Sequence, residues 1–191
     1  MEREREVTAR RLPPGSHGIP ADVVARNQRE RLVAAMAEAC AEKGYARASV
    51  ADVAKRAGVS SVTFYKQFAD KRDCMLAAHE ELLARLLEEV DRACETEGDP
   101  ATKPRVALRT VLVLLAADPP TAQLLTIEVL ATGSQGVECH DAMVKELGWR
   151  LSAEWVPTAG MLALIGKLVI AGKAACLPGL EDELDAMFRL Q

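Results

Sequence analysis

The chain has 191 residues and a formal net charge of −4, and 49% of its residues are apolar while only 4% are aromatic. Alternating runs of β-branched and aromatic residues are scarce, so the composition predicts helices in one or two domains and disfavours a sheet. The five cysteines contain no C-x-x-C pair, which excludes a disulfide framework or a structural zinc site and favours a reducing compartment.

The sequence predicts no targeting or membrane-spanning segment. The N-terminal residues are charged and then rich in Pro and Gly, unlike the apolar core of a secretory signal. The longest apolar stretch, residues 161–177, contains Lys167 and Lys173 and is shorter than the roughly 20 residues that a membrane span requires. We expect a cytoplasmic protein that makes no membrane contact.

Basic charge is concentrated near the N-terminus. Residues 1–75 carry 14 Lys and Arg against 10 Asp and Glu, and the remainder is acidic. This asymmetry favours an N-terminal module that faces a polyanion. Residues 1–20, in which Arg and Glu alternate before a Pro- and Gly-rich run, are predicted to be a flexible arm that is either simply disordered or reaches into a DNA groove.

Apolar periodicity and stop signals define the predicted helices. Ser49, Ser60 and Asp70 stand at N-cap positions, and Gly44 and Gly58 stand where a helix should end. The N-terminal helices are predicted at residues 22–43, 50–57, 61–67 and 71–94. Further helices are predicted near residues 101–117, 119–132, 136–155, 158–177 and 181–190.

The segment from Gly44 to Lys71 has the parts of a helix-turn-helix: two short helices joined by a tight turn with one glycine. In the second short helix, Phe64 and Phe68 are four residues apart and should face the first helix. Its other side should be small, rich in hydroxyls and basic at one end, which suits entry into a DNA major groove.

These residues resemble the DNA-binding domain of the TetR-like (tetracycline-repressor) family over residues 27–75. The shared positions are Gly44-Tyr45, Ser49-Val50, Val53-Ala54, Ala57-Gly58-Val59-Ser60, Thr63-Phe64-Tyr65, Phe68 and Asp70-Lys71. The resemblance implies that Tyr65 and Lys71 contact phosphates and that Thr63 touches DNA. Gln67, where the family usually has an aromatic residue or His, is a departure.

The residues and the resemblance together give a predicted DNA-binding set. Ser49, besides capping its helix, can present its hydroxyl or N–H group to a phosphate. Lys66 is either a phosphate contact or a solvated charge. The predicted set is Ser49, Ser60, Ser61, Val62, Thr63, Tyr65, Lys66 and Lys71.

The resemblance also implies a ligand pocket and a dimer interface in the C-terminal part. A small, largely apolar ligand is expected against Leu83, Leu87, Leu112, Leu115, Leu124, Glu128, His140, Trp149 and Trp155, although each leucine could equally be plain core. The homodimer interface is expected at Ala159, Ala163, Gly166, Ile170 and Ala174, because small residues allow close helix approach, unless this helix is buried within its own subunit.

The sequence therefore predicts an all-α transcriptional regulator, in particular a repressor that a small molecule releases from a palindromic operator. Residues 1–20 form the arm, residues 21–70 the DNA-binding domain and residues 71–191 the ligand-binding and dimerisation domain. No metal-ligand spacing, cofactor motif or nucleophile–base pair is present, so we expect no metal, no cofactor and no enzyme. A scaffold that has lost DNA binding and an activator remain as alternatives.

Overall fold

The computed structural model describes residues 20–152 and 155–189. These residues form helices and turns without a strand, which confirms the predicted all-helical class with an N-terminal helix-turn-helix. The predicted arm lies outside them, apart from Pro20. The α-helices are α1 (Ala21–Lys43), α2 (Val50–Ala57), α3 (Ser61–Gln67), α4 (Lys71–Glu95), α5 (Lys103–Ala117), α6 (Pro119–Thr126), α7 (Ser134–Leu151), α8 (Trp155–Ile170) and α9 (Glu181–Arg189). Two 3-10 helices, Glu128–Thr132 and Ala174–Leu180, follow α6 and α8.

The N-terminal helices begin and end where the local signals predict. The Ser49 hydroxyl at the start of α2 accepts from the Asp52 N–H at 3.1 Å, and the Asp70 carboxylate at the start of α4 accepts from the Asp73 N–H at 2.8 Å. Gly58 ends α2 at φ 64° and ψ 36°, a left-handed conformation that glycine adopts without the steric cost of a Cβ atom. Capping residues therefore fix these boundaries.

A hydrophobic core extends through both the N-terminal and the C-terminal helices. Leu32 of α1, Phe64 of α3 and Leu112 of α5 are all fully buried members of it. α1 packs against α2, α4 and α6, and α4 packs against α5 and α7. The helix-turn-helix is consequently attached to the rest of the protein through two surfaces: the continuous helix α4 and the contact between α1 and α6.

The helix predicted at residues 119–132 is wrong in its second half. α6 ends at Thr126, and Ile127 leaves the helical region with φ −130° and ψ −55°. The Ile127 side chain fills the space beside Gly166 of α8, where an added Cβ atom would lie 2.6 Å from the Ile127 Cδ1 atom. The end of α6 thus coincides with the packing of Ile127 against α8. The local periodicity of the sequence carries no information about that packing.

The start of α7 also differs from the prediction. The helix begins at Ser134 rather than at residue 136, so Gly136 lies inside its first turn. A Cβ atom on Gly136 would lie 2.0 Å from the carbonyl oxygen of Val129. Gly136, the first residue of the predicted helix, is therefore a site of close backbone approach within the first turn.

α8 is shifted and shorter than predicted. It begins at Trp155 with Pro157 in its first turn, where the missing N–H group breaks no helical hydrogen bond. It ends at Ile170 rather than at residue 177, because Gly172 at φ 70° turns the chain into the 3-10 helix Ala174–Leu180.

Across residues 20–152 and 155–189, no single helix is both long and apolar enough to cross a membrane. The bent pair of α7 and α8 reaches that length and hydropathy only when the two helices are counted together across an angle of 111°.

Candidate nucleic-acid interface

The turn between α2 and α3 is fixed by contacts at both of its ends. The Ser60 Oγ atom accepts from the Thr63 N–H at 3.1 Å and lies 3.0 Å from the Thr63 hydroxyl. At the other end, Arg31 of α1 donates to the carbonyl of Ala57. A Cβ atom on Gly58 would lie 2.8 Å from the Arg31 Nη2 atom, but that atom ends a flexible side chain, so the left-handed backbone conformation is what requires glycine.

α3 has one buried and one exposed side. Phe64 is fully buried, and its ring centroid lies 5.6 Å from that of Phe68. On the other side Val62 is 67% exposed, Tyr65 is 59% exposed and Lys66 is exposed. This exposed side offers hydroxyl groups, one apolar side chain and one ammonium group, with no carboxylate. We call it the α3 face: Ser60, Ser61, Val62, Tyr65 and Lys66.

Lys71, the first residue of α4, braces the turn between α1 and α2. Its Nζ atom donates to the carbonyls of Tyr45 at 2.7 Å and Ala48 at 3.0 Å, and it lies 4.1 Å from the centroid of the Tyr45 ring. An ammonium group has three donors, so one remains for a phosphate oxygen. The residue can therefore hold the turn and bind a phosphate at the same time.

Ser49 is engaged within its own helix start. Its hydroxyl donates to the Asp52 Oδ2 atom at 2.7 Å, and its N–H donates to the same oxygen at 3.0 Å. Hydrogen bonds from Lys43, at 2.6 Å, and from Ser49 hold the pKa of the Asp52 carboxyl well below its usual range. A phosphate contact by Ser49 would have to share the groups that bind Asp52.

Glu128 was predicted to line a ligand pocket together with leucines of the core. In the structure its carboxylate binds other groups. Its side chain is 9% exposed, and it accepts from the Tyr45 N–H at 2.7 Å and from Gln123 at 2.7 Å. It therefore contacts the turn between α1 and α2. No local pattern of residues indicates this contact, because Tyr45 and Glu128 are 83 residues apart. The role of Arg31 was missed for the same reason.

The other predicted pocket residues lie in different environments. The indole of Trp149 is 79% exposed and lines a surface groove of about 480 Å³ with residues of α4 and α5, so its place in a ligand pocket stays a prediction. The Trp155 side chain is outside the described part of the protein. The five leucines lie in or against the core: Leu83, Leu87, Leu112, Leu115 and Leu124.

The predicted dimer residues lie on two sides of the chain. Ala163 is exposed, Ile170 is 59% exposed and Ala159 is half-buried against the core. Gly166 faces inward, where an added Cβ would clash with the chain after α6, and Ala174 is only 7% exposed. Gly166 and Ala174 therefore pack within their own subunit, which corrects their predicted place in a dimer interface.

His140 of α7 is half-buried and lies near His79 of α4. Within the described ranges, the Nε2 atom of His79 is a buried side-chain nitrogen without a hydrogen-bond partner. Burial, and secondarily the charge of His140, lowers the pKa of His79 to about 4. In the same part of the chain, no group of three or more His, Cys, Asp or Glu residues is placed to hold a metal ion.

The buried His79 predicts that the free energy of unfolding decreases as the pH is lowered. The pKa of His79 is about 4 in the folded protein against 6.5 for the free side chain, so the unfolded chain binds the proton first. The stabilisation is present above pH 6.5 and is lost as the pH falls to 4, by up to about 3 kcal/mol. Urea unfolding at intervals between pH 7 and pH 4 measures it.

The matched variant is His79→Phe, which removes the titrating group and keeps the site filled. Other carboxylates also titrate in acid, so the quantity of interest is the difference between the two proteins. The stability of His79→Phe should decline less steeply between pH 6.5 and pH 4. Parallel pH profiles would show that His79 is not the group responsible.

Comparison with known sequences identifies the helix-turn-helix region. Residues 32–78, from α1 into α4, match the family described as bacterial regulatory proteins, tetR family. The chain is 26% identical over 99 residues to the fatty acid metabolism regulator protein of Bacillus subtilis, covering 52% of this chain and 51% of that protein. It is 38% identical over 85 residues to the HTH-type transcriptional regulator BetI of Stenotrophomonas maltophilia, covering 44% and 42%. These matches span about half the length of the curated relatives or less.

The fold extends over more of the chain than the sequence similarity. The structure of the transcriptional regulator FadR from Bacillus subtilis in complex with stearoyl-CoA superposes with a TM-score of 0.70. The alignment covers 83% of this chain and 96% of that one at 18% identity. The C-terminal helices therefore share an architecture with that protein, at an identity that indicates fold alone.

Proposed function

We propose that this chain, whose residues 32–78 match the tetR family of bacterial regulatory proteins, is a transcriptional regulator that binds operator DNA as a homodimer. One observation carries the proposal: α3 holds Phe64 in the core and turns a face without carboxylates, which includes Tyr65, toward solvent. Such a helix can enter a major groove without electrostatic repulsion. The proposal also places the protein in the cytoplasm, where its operator is. Its role there is regulation and not catalysis.

The α3 face supplies both kinds of DNA contact. Val62, the exposed apolar residue, can contact a thymine methyl group, and the hydroxyls of Ser60 and Ser61 can reach base edges or phosphates. Tyr65 and Lys66 can donate to phosphate oxygens. Lys71 adds a phosphate contact. Ser49 contributes chiefly by capping α2, and Thr63 by its hydrogen bonds to Ser60, the cap of α3.

A homodimer is required because one helix-turn-helix makes too few contacts for tight specific binding. In a two-fold dimer the α3 helices would read half-sites about 34–36 Å apart, so the operator should be palindromic. α8 supports a dimer interface, since Val156 is 70% exposed, Ile170 is 59% exposed and Ala163, midway between them, is also exposed. These residues repeat every seventh position and therefore share one side of the helix.

The effector is proposed to be a small, largely apolar molecule that releases a repressor from its operator. The leucines of α4, α5 and α6 form an apolar interior, and the related fold of FadR from Bacillus subtilis was crystallised with stearoyl-CoA. A ligand shifts the protein between two shapes only through its differential affinity, and a complete switch needs about 5.5 kcal/mol. Titrating fatty acids and acyl-CoA esters into the operator complex tests this part, and unchanged DNA affinity would contradict it.

The first experiment is a selection from random double-stranded DNA with the purified protein, followed by titration of the selected sequence at two salt concentrations. We expect a palindrome and an affinity that falls steeply with salt, because each phosphate contact releases counterions. The variant Tyr65→Phe with Lys66→Ala should bind the palindrome more weakly while folding normally. No enriched sequence, or binding indifferent to salt, would favour the scaffold alternative.

A further inference from the structure

The backbone of Tyr45 is held on both sides of its Cα atom. Its N–H donates to the Glu128 Oε2 atom at 2.7 Å, and its carbonyl accepts from the Lys71 Nζ atom at 2.7 Å. Glu128 follows α6 in the C-terminal part, whereas Lys71 begins α4 and is a proposed phosphate contact. One residue of the turn between α1 and α2 thus connects the C-terminal part to the DNA-binding side.

Both carboxylate oxygens of Glu128 accept a hydrogen bond. Its other carboxylate oxygen accepts from the Gln123 Nε2 atom at 2.7 Å, and the same amide lies 3.4 Å from the carbonyl of Cys40 at the end of α1. At 9% exposure, a carboxylate is costly unless hydrogen bonds satisfy it. The donors come from the α1–α2 turn and from α6, so the carboxylate ties these two segments together.

We propose that Glu128 is a positioning residue for DNA binding. By fixing the Tyr45 N–H, it holds the residue whose carbonyl orients the Lys71 ammonium, so a displacement of α6 reaches the DNA-binding side through Tyr45 as well as through the α1–α6 contact. The inference rests on the proposed function and assigns to it a residue that does not touch DNA. Coupling of this kind between two sites changes affinity by about 5- to 150-fold.

The test compares two variants that remove the same charge. Glu128→Gln retains an amide oxygen that can accept from the Tyr45 N–H, whereas Glu128→Ala retains no acceptor. With the selected operator at low salt, Glu128→Ala should lose about tenfold in affinity, and Glu128→Gln should recover most of that loss. Glu138→Ala, which removes an exposed carboxylate from α7, is the control for net charge.

A double-mutant cycle with Lys71→Met asks whether Glu128 acts through Lys71. In that background, Glu128→Ala should change affinity by less than about twofold, because the lysine it positions is gone. Hydrogen exchange of the Tyr45 amide should be faster in Glu128→Ala than in the wild type and unchanged in Glu138→Ala. Should Glu128→Ala not fold, Gln123→Met removes the second donor alone and should weaken operator binding in the same direction.

Three results would overturn the positioning role of Glu128. Glu128→Ala could bind the operator as tightly as the wild type, or both Glu128 variants could lose the same affinity. Glu128→Ala could also lose as much affinity in the Lys71→Met background as in the wild type. Failure of the wild-type chain to select any DNA sequence is a different outcome, since it contradicts the proposed function itself.

Discussion

Replacing Phe64 with alanine is expected to cost about 3–5 kcal/mol of unfolding free energy and to abolish specific DNA binding. The ring is fully buried, and it packs against Phe68 and edge-on against Tyr65 at a centroid distance of 5.4 Å. Its removal leaves a cavity directly behind the α3 face. Urea unfolding followed by circular dichroism measures the stability, and operator titration by fluorescence anisotropy measures the binding.

Val62→Ala, two residues away on the same helix, is the matched control. Val62 is 67% exposed, so its truncation should change stability by less than about 0.5 kcal/mol. The same substitution should weaken discrimination at one operator position by about 1–3 kcal/mol, if the valine contacts a base. A Phe64→Ala protein as stable as the wild type would contradict the assignment of the two sides of α3.

The second large effect is expected for Lys71→Met, which keeps most of the aliphatic side chain and removes the ammonium group. The variant loses hydrogen bonds to two carbonyls and the contact with the Tyr45 ring, besides a phosphate partner. Hydrogen bonds from charged groups contribute about 1.5–3 kcal/mol each, so operator affinity should fall by more than tenfold. Anisotropy titrations over a series of salt concentrations measure both affinity and salt slope.

Lys66→Ala provides the comparison, because the Lys66 side chain is exposed on the α3 face. It should reduce the salt slope by about 1 and leave the melting temperature unchanged. Lys71→Met should reduce the slope similarly and also lower the melting temperature. If the two variants behave alike, the bracing role of Lys71 is wrong.

Much of the fold was predictable because its signals are local. Ser49, Ser60 and Asp70 cap helices by bonding to N–H groups three residues onward, and Gly58 takes a left-handed conformation within the turn. Such interactions are complete within one helical turn, so the pattern of residue types is sufficient to locate them. The division of α3 into a buried and an exposed side follows in the same way from helical periodicity.

The less accurate predictions concern contacts between distant segments. Gly166 resembled a dimer contact, but the Ile127 side chain of the same subunit approaches it too closely for a Cβ atom. Glu128 resembled a pocket residue, but it binds the Tyr45 N–H. In each case the residue type indicated a structural or functional role for the position, but it did not indicate which residue the position contacts.

The amino-acid sequence by itself determined the helical class, the helix-turn-helix, its caps and its exposed recognition side, because these depend on hydrogen bonds and periodicities that span only a few residues. Tertiary structure alone decided where α6 ends, which small residues pack within the subunit and how the C-terminal part reaches the Tyr45 N–H. These features depend on which side chains meet across 26 to 83 residues of chain, as for Lys71 and Glu128 with Tyr45. Packing sets such encounters, and no local pattern encodes them.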